Sequence, residues 1–189
     1  RSALFTKAWA LLDLQREEEA INTLKQLVEK YPKGKFSASS LFSVADYYYN
    51  VQRFEEALTT YKEVLEKFPE SEVASKIPDT VKELSETVAY IEYEKAFTLF
   101  TQAKERNDLN LYRQSVEGFQ NVVSRYPGTE SETGSYANMG FALEELGEFQ
   151  KAVDAYDQVI KKYEQGAGVS QDAFTFARMH RDYIVANKL

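Results

Sequence analysis

The sequence contains no cysteine and a single histidine, His180, in 189 residues. Without Cys there is no disulfide, no thiolate metal site and no sulfur nucleophile. One imidazole nearly removes histidine metal clusters and weakens any Ser–His scheme. Four prolines and eight glycines are too few for a loop-rich all-β fold. No run approaches the ~20 apolar residues needed to span a bilayer, and no signal peptide is visible. The chain opens on Arg1 rather than Met, so it reads as a trimmed piece of something longer, with room for a lost export signal or lipid anchor. Positive charge is also short. Lys and Arg number 23 against 30 Asp and Glu, a net charge of -7. Such a surface repels phosphate backbones, which makes nucleic acid a poor partner. What is present is 43% hydrophobic and 28% charged residues, enough for the core of one domain or one repeat array.

The apolar and small residues are periodic over long distances. Small residues recur at Ala8, Ala45, Ala103, Gly140 and Ala177, with gaps of 37, 58, 37 and 37. A second series, Ala20, Ala57, Ser115 and Ala152, follows the first by 12. Leu24, Tyr61, Phe119 and Tyr156 come 4 later, and Leu27, Val64, Val122 and Val159 a further 3. Pro32, Pro69 and Pro127 lie 12 after three members of the second series. A fixed period in this range is the mark of a solenoid or array.

Within each unit the spacing predicts two helices. Phe54, Ala57, Leu58, Tyr61, Val64 and Leu65 recur at steps of three and four, one apolar helical face. Phe149, Ala152, Val153, Tyr156, Val159 and Ile160 repeat it. The prolines stop these helices by disfavouring helix in the residue before them. Small residues mark where two axes approach, and bulky ones fill the space left over.

These residues resemble the tetratricopeptide repeat (TPR): a small residue on the first helix, another at the start of the second, an aromatic one turn later and a closing proline. The best copies are Leu41, Val44, Ala45, Tyr48, Ala57, Tyr61, Val64 and Pro69, and Tyr136, Met139, Gly140, Leu143, Ala152, Tyr156 and Val159. Leu146-Gly147 fits the family's turn between helices. Leu4 and Leu11 depart from the pattern, as do Arg106 and Glu164. The resemblance implies an all-α, right-handed superhelix of about four helix–turn–helix repeats (about 1–34, 38–71, 96–129 and 133–166) in a single array over 1–189, with a capping helix at 168–188. Three extra residues per period fall in the linkers PKGKFSAS and PGTESETGS, where Ser and Thr are placed to cap the next helix after about one added turn. Linkers of this style resemble those of bacterial cell-envelope TPR proteins, of the outer-membrane assembly lipoprotein or Tol-Pal-associated type. That resemblance implies a periplasmic or envelope location, with the cytoplasm as the alternative.

The 58-residue gap carries an inserted or extended helix at 72–95. Residues 79–106 lack Pro and Gly and keep helical spacing, so one long helix of roughly 40 Å is expected. A separate helix at 71–77 followed by two shorter ones is the alternative.

First helices of such arrays are expected to line a concave groove. Three residues before each small position stand Phe5, Phe42, Phe100, Ala137 and Phe174, and one after stand Trp9, Asp46, Lys104, Phe141 and Arg178. Tyr49 lies one turn beyond Ala45. Phe5, Trp9, Phe42, Asp46, Tyr49, Phe100, Lys104, Phe141, Phe174 and Arg178 are therefore the candidate partner-binding residues, because aromatic anchors dominate interface energetics. The same rings would instead be core if the array curves tightly, or would serve oligomerisation through that face. The carboxylate-binding clamp of eukaryotic co-chaperone repeats is not matched: Phe5, Trp9, Ser43, Phe97 and Thr101 stand where it places Lys, Asn, Asn, Lys and Arg.

Within Tyr47-Tyr48-Tyr49, Tyr48 is expected in the core, Tyr49 in the groove and Tyr47 against a neighbour. His180 reads as a packed histidine, and Glu17–Glu19, Glu55-Glu56 and Glu144-Glu145 as solvated charges near helix ends. No calcium loop or phosphate cradle is present. The function expected is a non-catalytic scaffold that holds a protein or peptide segment, with no cofactor, no metal, no nucleic acid and no direct membrane insertion. Self-association, or assembly within a larger multidomain envelope protein, is the alternative, and a homo-oligomer is possible on either reading.

Overall fold

The periodic residues fill the interior. In the computed structural model of the protein, which describes residues 2–189, Ala8, Ala45, Ala103 and Ala177 are fully buried, as are Ala20, Ala57, Ser115 and Ala152. The bulky series and the Leu/Val series are buried throughout. Nine α-helices and no strand are found among the described residues. They form two compact units, one ending at Ser85 and one spanning Glu86–Leu189.

The first unit holds α1 (Ser2–Asp13), α2 (Glu17–Lys30), α3 (Ser37–Asn50) and α4 (Phe54–Lys67), then a 3-10 turn at Ala74–Lys76. The second holds α6 (Leu109–Arg125), α7 (Glu130–Glu145), α8 (Phe149–Glu164) and α9 (Gln171–Asn187). Helix α5 (Pro78–Arg106) is continuous for 29 residues and carries the boundary between the units. Pro78 is its first residue, where the missing N–H costs nothing. At 1.5 Å per residue it is about 43 Å long.

Each tight turn between paired helices is closed the same way. The residues after α1, α3, α5 and α7 that turn left-handed are Gln15, Gln52, Asn107 and Gly147, with φ of 59°, 60°, 51° and 73°. The next N–H reaches back into the last helical turn: Arg16 to the Leu11 carbonyl at 2.9 Å, Arg53 to Tyr48 at 2.8 Å, Asp108 to Ala103 at 3.1 Å and Glu148 to Leu143 at 2.9 Å. This is the Schellman closure, and only Gly147 meets its preferred residue type. Where α8 lacks a proline, Gly166 (φ 71°) ends it in the same manner, the Ala167 N–H reaching the Lys162 carbonyl at 3.0 Å.

The proline-closed ends use a different device. Tyr31, Phe68 and Tyr126 each precede a proline and leave the helical region. Their carbonyls are taken up by downstream hydroxyls: Ser37 donates to Tyr31, Ser71 to Phe68 at 2.7 Å and Thr129 to Tyr126 at 2.8 Å. This corrects the expectation for the linker Ser and Thr residues. Ser37 and Thr129 close the preceding helix, and neither α3 nor α7 has a side-chain cap. Asp108 and Ser170 are the capping residues, accepting from the Asn110 N–H at 2.8 Å and the Ala173 N–H at 3.1 Å.

Candidate functional site on the first-helix faces

In the first unit α1 and α3 carry the candidate residues. Phe5 is half-buried, stacked on Phe36 at 4.7 Å and edge-on to Trp9 at 6.0 Å. Trp9 is 45% exposed and Tyr49 40%, the latter held edge-on by Phe54 at 6.0 Å. Phe42 and Asp46 are different. Phe42 is half-buried against Tyr61, with ring centroids 5.8 Å apart, and Asp46 accepts a hydrogen bond from the Tyr61 hydroxyl. Burial pushes the Asp46 carboxyl above the usual carboxylate range, partly offset by that hydrogen bond. Burial, then the bond to Asp46, pushes the Tyr61 phenol up in turn. The pair joins α3 to α4 and belongs to the helix–helix seam as much as to the surface. Tyr48 is buried, Tyr47 half-buried beside it at 5.8 Å.

In the second unit the candidates separate into two clusters. Phe100 is a correction: it is 6% exposed, enclosed by Phe97, Tyr112, Phe119 and Phe141 at 5.7–6.1 Å, and so fills the core rather than lining an open surface. Rings close on it from three helices, Phe97 on α5, Tyr112 and Phe119 on α6 and Phe141 on α7. Lys104 is exposed and extends over Phe141, 5.0 Å from the ring centroid. Phe141 is half-buried and continues to Phe176 and His180 on α9. Phe174 and Arg178 lie apart, Phe174 stacked at 4.1 Å on Tyr163 of α8 with Arg178 above it.

Sequence reasoning missed a polar knot beside Phe141. Glu144 Oε2 accepts the Tyr156 hydroxyl at 3.2 Å and lies 2.8 Å from His180 Nδ1. Burial first, and the Glu144 charge second, push the Tyr156 phenol well above its ordinary value. Glu144 sits in the last turn of α7, where the helix dipole disfavours an anion, so these partners rather than the dipole hold it. This corrects the reading of Glu144 as a solvated, dipole-favoured charge. The available signal was the 36-residue spacing of Glu144 and His180, one short of the repeat period. Exposed Tyr90 and Phe97 on α5, and Met179 and Tyr183 on α9, were also missed. Among the described residues no three His, Cys, Asp or Glu side chains converge on a metal position, and no helix is long and apolar enough to cross a membrane.

Antiparallel helix pairs locked at alanine or glycine define an α-helical repeat protein of the tetratricopeptide type. Within that class, residues 1–168 match the family model of the YfiO outer membrane lipoproteins, and the chain belongs to that family. Of the two envelope types that the linkers resemble, this is the outer-membrane lipoprotein one. No curated protein matches the chain significantly. Among solved structures, the chain is similar to the TPR2AB-domain:pHSP90 complex of yeast Sti1, at 19% identity over 98% of this chain and 70% of that one, with a TM-score of 0.39. It is also similar to MamA from Desulfovibrio magneticus RS-1 (18% identity, 98% and 93% covered, TM-score 0.33). A third is the structure of the nearly identical TPR-like repeats of a putative kinesin light chain of Podospora anserina (16% identity, 98% and 86% covered, TM-score 0.31).

Proposed function

We propose that this protein is a non-catalytic interaction scaffold of the bacterial cell envelope, docking a protein or peptide segment on its first-helix faces. The observation that carries this reading is the exposure of Trp9 and Tyr49. The residues that build the repeats are buried, yet two large aromatics on α1 and α3 remain open to water, each steadied by a neighbouring ring. Rigid, half-supported aromatics are the side chains that anchor interfaces, each costing about 2 kcal/mol or more when truncated at a hot spot. Phe42 is a poor target for testing this, since its contact with Tyr61 makes it structural.

A photo-crosslinking amino acid placed at Trp9 or Tyr49 in cells is expected to give a discrete protein adduct. The same group at Lys62 or Lys161, exposed on second helices, is expected to give none. Equal adducts at all four positions, or none at any, would remove the reading.

Self-association has its own support on α9. Phe176, Met179 and Tyr183 are 37%, 65% and 54% exposed, while the equivalent Met139 and Ala142 of α7 are buried beside α8. Light scattering across a concentration series separates the two readings, since a monomer at every concentration eliminates assembly through α9.

A further inference from the structure

Helix α5 outruns its repeat. The 37-residue period equates Glu130, the first residue of α7, with Tyr93, whereas α5 has already run from Pro78 by then. The turns of α5 around Tyr90 lie along the start of α7 and enclose with it a cleft of 530 Å³. Glu86, Tyr90 and Tyr93 come from α5 and Glu130 and Gly134 from α7, each set one helical turn apart. Tyr93 is the floor. Its hydroxyl accepts from the Asn138 side-chain N–H at 3.0 Å, and Phe97 stacks on its ring at 5.7 Å. Gly134 leaves the edge of that ring bare, since a Cβ there would stand 3.2–3.4 Å from it. Tyr90 is the open wall, 58% exposed and with no ring against it among the described residues.

The charge around these rings is one-sided. The Glu130 N–H donates to Glu86 Oε2 at 3.1 Å, which sets one carboxylate against the positive pole of α7. The Glu130 carboxylate has no ion pair or hydrogen bond among the described residues, and neither does the second oxygen of Glu86. No lysine, arginine or histidine lines the cleft. Lys82, one turn before Glu86, is exposed and does not bond to it, and Lys95 is paired with Glu92 at 2.6 Å. In the first unit the register, 95 positions earlier, puts Lys35 at the Glu130 place and Phe36 at the Ser131 place. There the cation and the ring are both the chain's own, with the Lys35 ammonium 6.0 Å from the Phe36 ring centroid. Beside α7 the chain supplies rings and carboxylates and no cation.

We infer that the α5–α7 cleft receives an arginine side chain presented by a partner protein. Its guanidinium stacks on the Tyr90 ring and forks between the Glu86 and Glu130 carboxylates, over the floor that Tyr93 provides. Guanidinium fits better than ammonium because it is planar, holds its donors in a fork matched to carboxylates and is more weakly hydrated. A quaternary ammonium would need several open ring faces around it, and only Tyr90 offers one, since Phe97 and Phe119 stand against Tyr93. The inference shares with the docking reading only the premise of a protein partner. All its residues lie in the second unit, so crosslinking at Trp9 or Tyr49 and the test below can fail separately.

Isotope-labelled glycine, read by NMR, gives a reporter in Gly134 and internal controls in Gly147 and Gly166, in the turns after α7 and α8. The probe is the peptide acetyl-Gly-Arg-Gly-amide, with Lys or citrulline, the uncharged isostere, in place of Arg as comparisons. The Arg peptide is expected to move the Gly134 signal saturably with Kd on the order of 1 mM, as befits a fragment. The Lys peptide is expected to bind about two- to fivefold more weakly, the range of an exposed cation–π contact, and the citrulline peptide not at all. Tyr90→Ala should weaken the Arg peptide by a similar factor. Glu130→Lys, which restores the first unit's cation, should abolish the shift. Tyr90 and Glu130 are both exposed, so both variants are expected to melt like wild type. A silent Gly134, equal responses to Arg and citrulline or to Arg and Lys, an unaltered response in Glu130→Lys, or Gly147 moving in step with Gly134 would overturn the inference. So would a Gly134 signal moved as far by tetramethylammonium, the mark of a quaternary-ammonium cage, or by protein concentration alone, the mark of a second copy's arginine.

Discussion

Gly140→Ala tests the packing logic at its tightest point. A Cβ on Gly140 would lie 2.6, 2.8 and 2.9 Å from three ring carbons of Tyr156. No real Cβ sits so close, so the ring or the helix must move. The ring has little freedom. Tyr156 is fully buried, its hydroxyl is tied to Glu144, and Phe176 and His180 stand 6.0 and 5.7 Å from its centroid. Overpacking of this kind costs about 1–3 kcal/mol. Against it stands the better helix propensity of Ala, about 1 kcal/mol in a helix interior. With so little freedom for the ring the clash falls in the upper part of its range, about 2–3 kcal/mol, leaving a net loss of about 1–2 kcal/mol, or roughly 2–8 °C in Tm at this chain length. Gly134→Ala is the control. There the nearest atoms are the outer ring of half-buried Tyr93, at 3.2–3.4 Å, so propensity should win and stability stay level or rise. Urea melts of both variants, with Tyr156→Leu alone and combined with Gly140→Ala, give the coupling directly. Once Tyr156 is Leu, Gly140→Ala should cost far less. Equal or greater stability of Gly140→Ala in the wild-type background would refute the argument that glycine is required by the ring.

Three other perturbations address the turns and the buried pair. Gln52→Gly relieves a left-handed residue (φ 60°) and is expected to raise stability by about 0.5–1 kcal/mol in thermal melts, with Gln15→Gly similar. Thr129→Ala leaves the carbonyl of Tyr126 without a buried hydroxyl donor and is expected to cost about 1 kcal/mol, while Thr129→Ser should recover most of it. Asp46→Asn probes a carboxyl that burial raises, so that the folded state holds its proton more tightly than the unfolded. Stability from that group is therefore fully present below the unfolded pKa and falls as pH rises through the carboxylate range. Asn keeps an acceptor for Tyr61 without the charge, so the variant's melting temperature relative to wild type should climb from about pH 3 to about pH 6. A flat difference across that range would mean that Asp46 ionises in the folded state at no cost.

The frame of this protein was readable because helix packing makes a strong demand on a few positions. Where two axes nearly touch, only Ala or Gly fits, and Ala8, Ala45, Ala103, Gly140 and Ala177 recur on that account alone. The residues between these positions obey weaker constraints, and there the register gave direction without fate. Phe42 and Phe100 hold equivalent places, and each meets an aromatic of the next helix at the same register, Tyr61 and Phe119, yet Phe97 and Phe141 also close on Phe100, which is buried, while Phe42 stays half-buried. Such a difference depends on which side chains a neighbouring helix happens to project, which periodicity does not encode. The Tyr61 and Tyr156 hydroxyls show the same limit. Both are aromatics of one series, but one reaches Asp46, just after its small residue, and the other Glu144, four residues after. The longer reach lays the Tyr156 ring across the preceding turn, and this is why that position alone in its series is glycine. A substitution that looks like noise within a repeat is thus a consequence of a polar contact one turn away.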